Sequence, residues 1–302
     1  MTAILAAILL EHLRPLQLSW TKWLMRPAQM LAHHLNAGTY QHGVLAWLVI
    51  SVPILAIVSL IFFSLQHISA WLSWLWQIAV LYASLRFRTT RHATADIAQA
   101  LAHNDLPLAQ QIYAQQLSPA GTPSQAEGLI RATIEHTYTH TLHHLFGVLF
   151  WFIVLMPLGP VGALLYRLSL CLADIWQTEQ LGLFAQFSQR MALFLDYFPA
   201  RITALSFAIA GNFEDAVYCW RSQAADWGDL NTGVLLSSAA GAMGIKLGGA
   251  ITYPHGECWR PELGLGNSPD PADIHSAVSL MWRALSIWLL LLLITALAKL
   301  AG

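Results

Sequence analysis

The stretch VLAWLVISVPILAIVSLIFFSL, residues 44–65, decides the fold class of this 302-residue chain. It holds no charged side chain, and a helix crossing the hydrocarbon core of a bilayer needs about 20 consecutive apolar residues. The run that follows, 68–85, is also uncharged and carries Trp71, Trp74 and Trp76, a residue type that collects at membrane–water interfaces. Only Gln66-His67 parts the two runs, so 44–85 is expected to form a transmembrane hairpin. Composition points the same way: hydrophobic residues make up 56%, charged residues 10%, and mean hydropathy is +0.52. A soluble domain carries about 25% charged residues to keep its surface hydrated, so this chain meets lipid over much of its surface. A net charge of −1 leaves no basic footprint, and no nucleic-acid partner is expected.

Outward from that hairpin, polar and apolar segments alternate. Residues 1–43 form a short apolar and amphipathic segment without the basic n-region or cleavage site of a signal peptide, and read as mature structure. Residues 86–144 are polar and helical; Arg86, Arg88 and Arg91 mark a cytoplasmic flank, and Asn104-Asp105-Leu-Pro107 breaks the helix. Residues 145–173 are long enough to span but are interrupted by Pro157-Leu-Gly-Pro160, which predicts a broken or re-entrant segment. Residues 174–283 form a second polar region, in which 202–210 is apolar but too short to cross alone. Residues 284–302 supply a C-terminal transmembrane helix. The expected fold is therefore all-α, a polytopic helical membrane protein with about four spans, one of them broken. Its expected place is the inner membrane of a bacterium. Cys171, Cys219 and Cys258 form no CxxC pair, so each is expected to be a buried small hydrophobe.

Histidines supply the densest chemical signal. In Glu135-His136-Thr-Tyr-Thr-His140-Thr-Leu-His143-His144, the positions 136, 140 and 143 fall on one helical face, and 140 and 144 form a second i, i+4 pair. Imidazoles at that spacing suit a transition metal or an axial contact to a metallated tetrapyrrole; a polar helix end beside a span is the plainer alternative. No HExxH pattern supports a zincin-type hydrolase. Arg131, Glu135, Arg167, Asp196 and Arg201 are charges beside apolar helices, where ionisable groups are costly and mark either function or ion pairing. The run Ala239-Ala-Gly241-Ala-Met-Gly244-Ile-Lys246-Leu-Gly248-Gly249 lacks Walker A spacing, so close helix packing is favoured over nucleotide binding.

The order of these pieces resembles the CobD/CbiB family. The likeness rests on 237–249 together with Tyr253, Gly256, Arg260-Pro261-Glu262-Leu263-Gly264 and Asp273-Ile274. Upstream, Asp196-Tyr-Phe-Pro199-Ala200-Arg201-Ile-Thr203 is similar to the family's Pro-Ala-Arg-Leu-Thr segment. Leu149-Phe150-Trp151 with Gly159-Pro-Val-Gly162-Ala163-Leu-Leu-Tyr166-Arg167 resembles its Leu-Phe-Trp and Tyr-Lys segments. Such proteins join an aminopropanol-type amine to the corrin ring in cobalamin biosynthesis. The likeness therefore implies a corrinoid ligand, with Mg²⁺ and ATP if the chain is an enzyme.

The departures point elsewhere. Where the family has Glu-Asn-x-x-Asp-Gly, this chain has Thr139-His140 and His143-His144, although an earlier family glutamate has a counterpart in Glu135. The Asn-Thr-Leu-Asp segment is replaced by Leu170-Cys171-Leu172-Ala173-Asp174, and His-Pro-Val by Glu11-His-Leu-Arg14-Pro15. That loss of carboxylates and amides resembles the AmpE branch, which implies a regulatory sensor of cell-wall state and β-lactamase induction, part of the antibiotic response. The expected function is thus an AmpE-type sensor with a small-ligand pocket. A cobinamide-phosphate synthase type of ligase is the alternative, and a metal- or tetrapyrrole-binding protein the third reading. The pocket for a small anionic or corrinoid ligand is assigned to Glu135, Arg167, Asp196, Arg201, Lys246, Arg260 and Glu262. A transition metal is assigned to His136, His140, His143 and His144, and a homo-oligomer is a further expectation.

Overall fold

A computed structural model of the chain describes residues 2–14, 20–36, 38–117, 121–177, 181–254 and 256–301. Pro15 of the N-terminal motif and the side chain of Arg88 lie outside them. The chain divides into two compact units, Met1–Arg86 with His143–Tyr197, and Phe87–Leu142 with Phe198–Gly302.

Among the described residues, the regular elements of the first unit are all helices. Helix α1 (Thr2–Leu13) packs on α4 (Ala70–Ser84), and α2 (Trp20–Leu35) and α3 (Tyr40–Ile68) pack on α9 (Val161–Ile175). Ser69 makes the turn between α3 and α4: its N–H donates to the Leu65 carbonyl to close one helix, and its hydroxyl accepts from Trp71 N–H to cap the next. The break in 145–173 is as expected. Helix α8 (Gly147–Val154) ends in a 3₁₀ turn, Met156–Leu158, and Gly159 takes a left-handed φ of 79° before α9 begins. The two short helices then fold back on each other with very little clearance. A Cβ at Gly162 would sit 1.9 Å from the Trp151 carbonyl oxygen. Trp47, Leu172, Trp176 and Phe184 fill the core beside them.

The second unit contains α5 (Arg88–Ala102), α6 (Leu106–Gln116), α7 (Ala126–Thr141), α11 (Phe213–Gln223), α12 (Leu230–Met243) and α13 (Pro271–Ala301). The expected break falls between α5 and α6, where Asn104 has a positive φ of 59° and the Asp105 carboxylate caps Leu108 N–H. Helix α10 (Gly182–Ala210) supplies residues to both units. Between α12 and α13 lie two short antiparallel pairs, β1 (Leu247–Gly248) with β4 (Glu262–Leu263), and β2 (Ile251–Tyr253) with β3 (Gly256–Cys258).

The fold is an all-α membrane protein, and three described helices are long and apolar enough to cross a bilayer: α3, α10 and α13. Two of the expected segments change places. Helix α4 has 15 residues, short of the ~20 a span needs, because Leu85 turns extended and stops it. Helix α10, by contrast, runs for 29 residues through a region that the sequence placed outside the membrane. Its most apolar 18-residue stretch has a mean hydropathy of 1.3 against 2.8 for that of α3, because Asp196 and Arg201 interrupt the apolar run. The glycine run also differs from the expectation of helix packing along its whole length. Gly241 does sit in α12 against the Asp215 carbonyl, but Gly244 caps the helix in a left-handed conformation and the remainder is loop and strand. Cys171 and Cys219 are buried as expected; Cys258 is exposed because β3 lies at the surface.

Candidate functional site

Helix α7 presents Glu127, Arg131 and Glu135 at i, i+4 and i+8, one face of the helix. Against that face comes the segment the glycine run feeds into. Pairing of β1 with β4 sets Gly248 opposite Glu262 and brings Pro261 and Arg260 alongside. The close approach requires glycine: Gly248 has φ 70°, and a Cβ there would meet the Pro261 carbonyl oxygen at 2.0 Å.

Glu135 is the centre of the cluster, with a relative exposure of 7%. Its Oε1 accepts from Gly248 N–H at 2.8 Å and from Arg260 Nη2 at 3.2 Å, and its Oε2 accepts from Arg260 Nη1 at 2.5 Å. A guanidinium fork on a carboxylate is the strongest polar contact two side chains make in a partly dry site. The same guanidinium lies over the Trp227 ring, 5.4 Å from its centroid, and its Nε donates to the Gly249 carbonyl at 3.4 Å. Arg131 closes the other side. It donates to the Gly248 carbonyl at 3.3 Å, to Ser268 Oγ at 3.1 Å, and pairs with Glu127. One turn further along α7, Tyr138 donates to Met243 Sδ at 2.8 Å; burial pushes its phenol well above the ordinary range, with Arg283 opposing. Tyr253 on β2 is raised by burial too, while the nearby Arg260 charge pulls it down.

The remaining expected ligands are placed differently. Lys246 Nζ stands 3.7 Å from Glu262 Oε2, with both side chains largely exposed. Arg201 donates to Asn231 Oδ1 at 2.9 Å. Asp196 and Arg167 belong to the first unit, where Asp196 accepts from the buried Tyr166 hydroxyl and sits 3.2 Å from His143 Nε2. Of the seven residues assigned to one pocket, only Glu135, Arg260, Glu262 and Lys246 thus come from the α7 face and the β1–β4 pair. Arg131 and Trp227 join them without having been assigned. The i, i+4, i+8 spacing of Glu127, Arg131 and Glu135 was a signal for Arg131; nothing in the sequence pointed to Trp227.

The four histidines do not form one ligand set. His136 and His140 lie side by side, ring centroids 5.7 Å apart, as i, i+4 partners should. A π-helical turn, Leu142–Phe146, then inserts extra backbone, so His143 and His144 leave the register that an unbroken α-helix would give them. Among the described residues no group of three or more His, Cys, Asp or Glu side chains is arranged to hold a metal ion. The donor set does not suit Mg²⁺ at Glu135 either. A hard cation needs several carboxylate or carbonyl oxygens, whereas both oxygens of Glu135 are taken by Arg260 and a backbone N–H.

Comparison with known proteins supplies the context. A family model described as CobD/Cbib protein matches residues 4–281. The chain is 36% identical over 275 residues to the cobalamin biosynthesis protein CobD of Stutzerimonas stutzeri, covering 89% of this chain and 88% of that one. It is 36% identical over 223 residues to the CobD of Chromobacterium violaceum, covering 72% and 70%. It is 26% identical over 235 residues to the cobalamin biosynthesis protein CbiB of Salmonella arizonae, covering 75% and 72%. No solved structure matches.

Proposed function

The chain belongs to the CobD/CbiB family, and on that premise we propose that it is an inner-membrane enzyme of cobalamin biosynthesis. Its reaction is amide ligation of the adenosylcobinamide-phosphate synthase type. An aminopropanol-type ammonium loses a proton, its nitrogen bonds to a carboxyl carbon of the corrinoid, and the displaced carboxyl oxygen leaves with the phosphoryl group of a nucleoside triphosphate. The products are the amide, nucleoside diphosphate, phosphate and a proton. The AmpE-type sensor reading rested on the altered 139–144, 170–174 and 11–15 segments. The relatives reported above are all named for cobalamin biosynthesis, which favours the enzyme.

One observation carries this reading. The two family-like stretches, the glycine run and Arg260-Pro261-Glu262-Leu263-Gly264, meet on one buried carboxylate, Glu135. They bring Arg131 and Arg260 together at one edge, only 12% and 22% exposed. Guanidinium forks recognise phosphate and carboxylate groups, which the nucleoside triphosphate and the corrinoid carboxyl of this ligation carry. Glu135 positions Arg260 and the Gly248 backbone; the arginines bind and orient the anions.

Complementation of a bacterial strain lacking its own cobinamide-phosphate synthase tests the proposal. Expression of this chain should restore corrinoid-dependent growth, and Glu135→Gln should abolish the rescue while the protein still reaches the membrane. A wild-type chain that inserts into the membrane and fails to rescue would remove the enzymatic reading and return the sensor reading to first place.

A further inference from the structure

One more side chain holds the Arg260 loop, and it comes from the last residue of α11. Strand β4 pairs with β1 only as far as Leu263, so Gly264 is the first residue past the ladder. Its backbone N–H and C=O need partners in a half-buried turn, and the carboxamide of Gln223 meets both. Gly264 N–H donates to Gln223 Oε1 at 2.6 Å, and Gln223 Nε2 donates back to the Gly264 carbonyl at 3.3 Å. A carboxamide carries a donor and an acceptor side by side, as a neighbouring strand does. Gln223 therefore stands in for the strand residue that β1 does not supply. The seat is tight: a Cβ at Gly264 would lie 2.1 Å from the Ile245 carbonyl oxygen and 2.7 Å from Ala240 Cβ. Glycine thus lets the loop press against α12 while the amide reaches it from α11.

The same end of α11 also reaches the other end of the loop. Trp227, four residues after Gln223, lies under the guanidinium of Arg260, and Arg260 is four residues before Gly264. Between these two holds lie Pro261, whose ring fixes φ, and the β4 residues Glu262 and Leu263, whose backbone is committed to β1. So short and stiff a segment passes a shift at Gly264 on to Arg260 rather than absorbing it. The fork of Arg260 on Glu135 depends on that placement, and a displacement of about 1 Å in a positioning group is enough to cost rate. We propose that Gln223 is a positioning residue of the anion site: its carboxamide sets where Arg260 stands and so governs the binding of an anionic participant. This role rests on the amide-ligation reading, in which Arg260 receives the nucleoside triphosphate or the corrinoid carboxyl.

Steady-state kinetics of the detergent-solubilised full chain, with each participant varied in turn, test this. Gln223→Met is close in size but lacks both hydrogen-bonding groups. It should raise KM for the triphosphate, the corrinoid acid or both by about tenfold, the loss of one charged hydrogen bond from a misplaced fork. KM for the cationic amine, which a guanidinium does not bind, should stay at the wild-type value. Gln223→Asn keeps the amide one carbon short and should fall between Met and wild type; it takes the place of Gln223→Met should that variant fail to insert. In an Arg260→Met background the Gln223 substitution should add nothing further, because the group it places is gone. That background is read as KM or, where turnover is too low, as equilibrium binding of the triphosphate. A merely structural Gln223 would lower Tm and the fraction of active protein, and leave every KM alone. That result overturns the proposal, as does a rise in KM that persists undiminished without Arg260. Wild-type turnover keeps the amide-ligation reading standing whatever Gln223 does; its absence removes both.

Discussion

Glu135 on α7 and Asp196 on α10 are buried almost equally, 7% and 6% exposed, and are held by opposite chemistry. Glu135 is gripped by a guanidinium and a backbone N–H delivered from the 247–263 segment, more than a hundred residues along the chain. Asp196 is met by the hydroxyl of Tyr166 and an imidazole nitrogen of His143, each on a helix of its own unit. The first arrangement joins a loop to a helix and leaves two arginines at a solvent-reachable edge. The second ties α9, α10 and the π-helical turn together among apolar helices, with Tyr166 fully buried. Burial alone therefore does not identify a working carboxylate; the character and origin of its partners do.

The sharpest way to break that contrast is to remove each carboxylate. Glu135→Ala should cost about 3–5 kcal/mol in denaturant or thermal unfolding of the detergent-solubilised chain, the usual penalty for leaving the partner of a buried ion pair uncompensated. Arg260→Met should cost less when Glu135 is already Gln than when it is Glu, and additive effects would deny that the two residues act as a pair. Asp196→Ala should cost less, about 1–3 kcal/mol, because what it strands is the neutral Tyr166 hydroxyl. Asp196→Asn should then be milder than Glu135→Gln, since an amide oxygen still accepts from a phenol but does not neutralise a guanidinium. Equal losses for these last two would erase the distinction between the sites.

Sequence reading reached the first carboxylate more completely than the second, for a physical reason. Glu135, Gly248 and Arg260 lie in contiguous motifs, and the glycines announce a close backbone approach that the Gly248 geometry bears out. The pairing of Arg260 with Glu135 was not legible, because it depends on β1 meeting β4, and two-residue strands leave no period-2 pattern to detect. The histidine face at 136, 140 and 143 failed on backbone geometry: a π-helical turn has no hydropathy signature, so the α-helical spacing was carried one turn too far. Helix α10 was hidden by its own function as a packed helix. A span facing lipid, such as α3 with 17% of its apolar 18-residue stretch buried, reads as uniformly apolar. One packed against protein, as α10 is at 56%, can carry Asp196 and Arg201 because protein groups satisfy them.

Smaller substitutions refine the comparison. Tyr166→Phe removes the hydroxyl but leaves Asp196 its contact with His143, so a loss of about 1 kcal/mol is expected from a single net hydrogen bond. A much larger loss would mean that the Tyr166–Asp196 contact anchors the whole α9–α10 junction rather than one bond within it. Lys246→Ala should do least. Its partner Glu262 is 3.7 Å away, and the side chains are 43% and 63% exposed, so water and salt screen the pair to well under ~1 kcal/mol. This makes Lys246 the control for the Glu135 cluster, because it sits on the same β1–β4 segment without a buried partner. If Lys246→Ala leaves Tm unchanged but weakens complementation, the lysine contacts an anionic participant directly, as the sequence proposed. If both are unchanged, the half-buried Arg131 and Arg260 suffice for anion recognition, and the exposed charge is only part of the solvated rim.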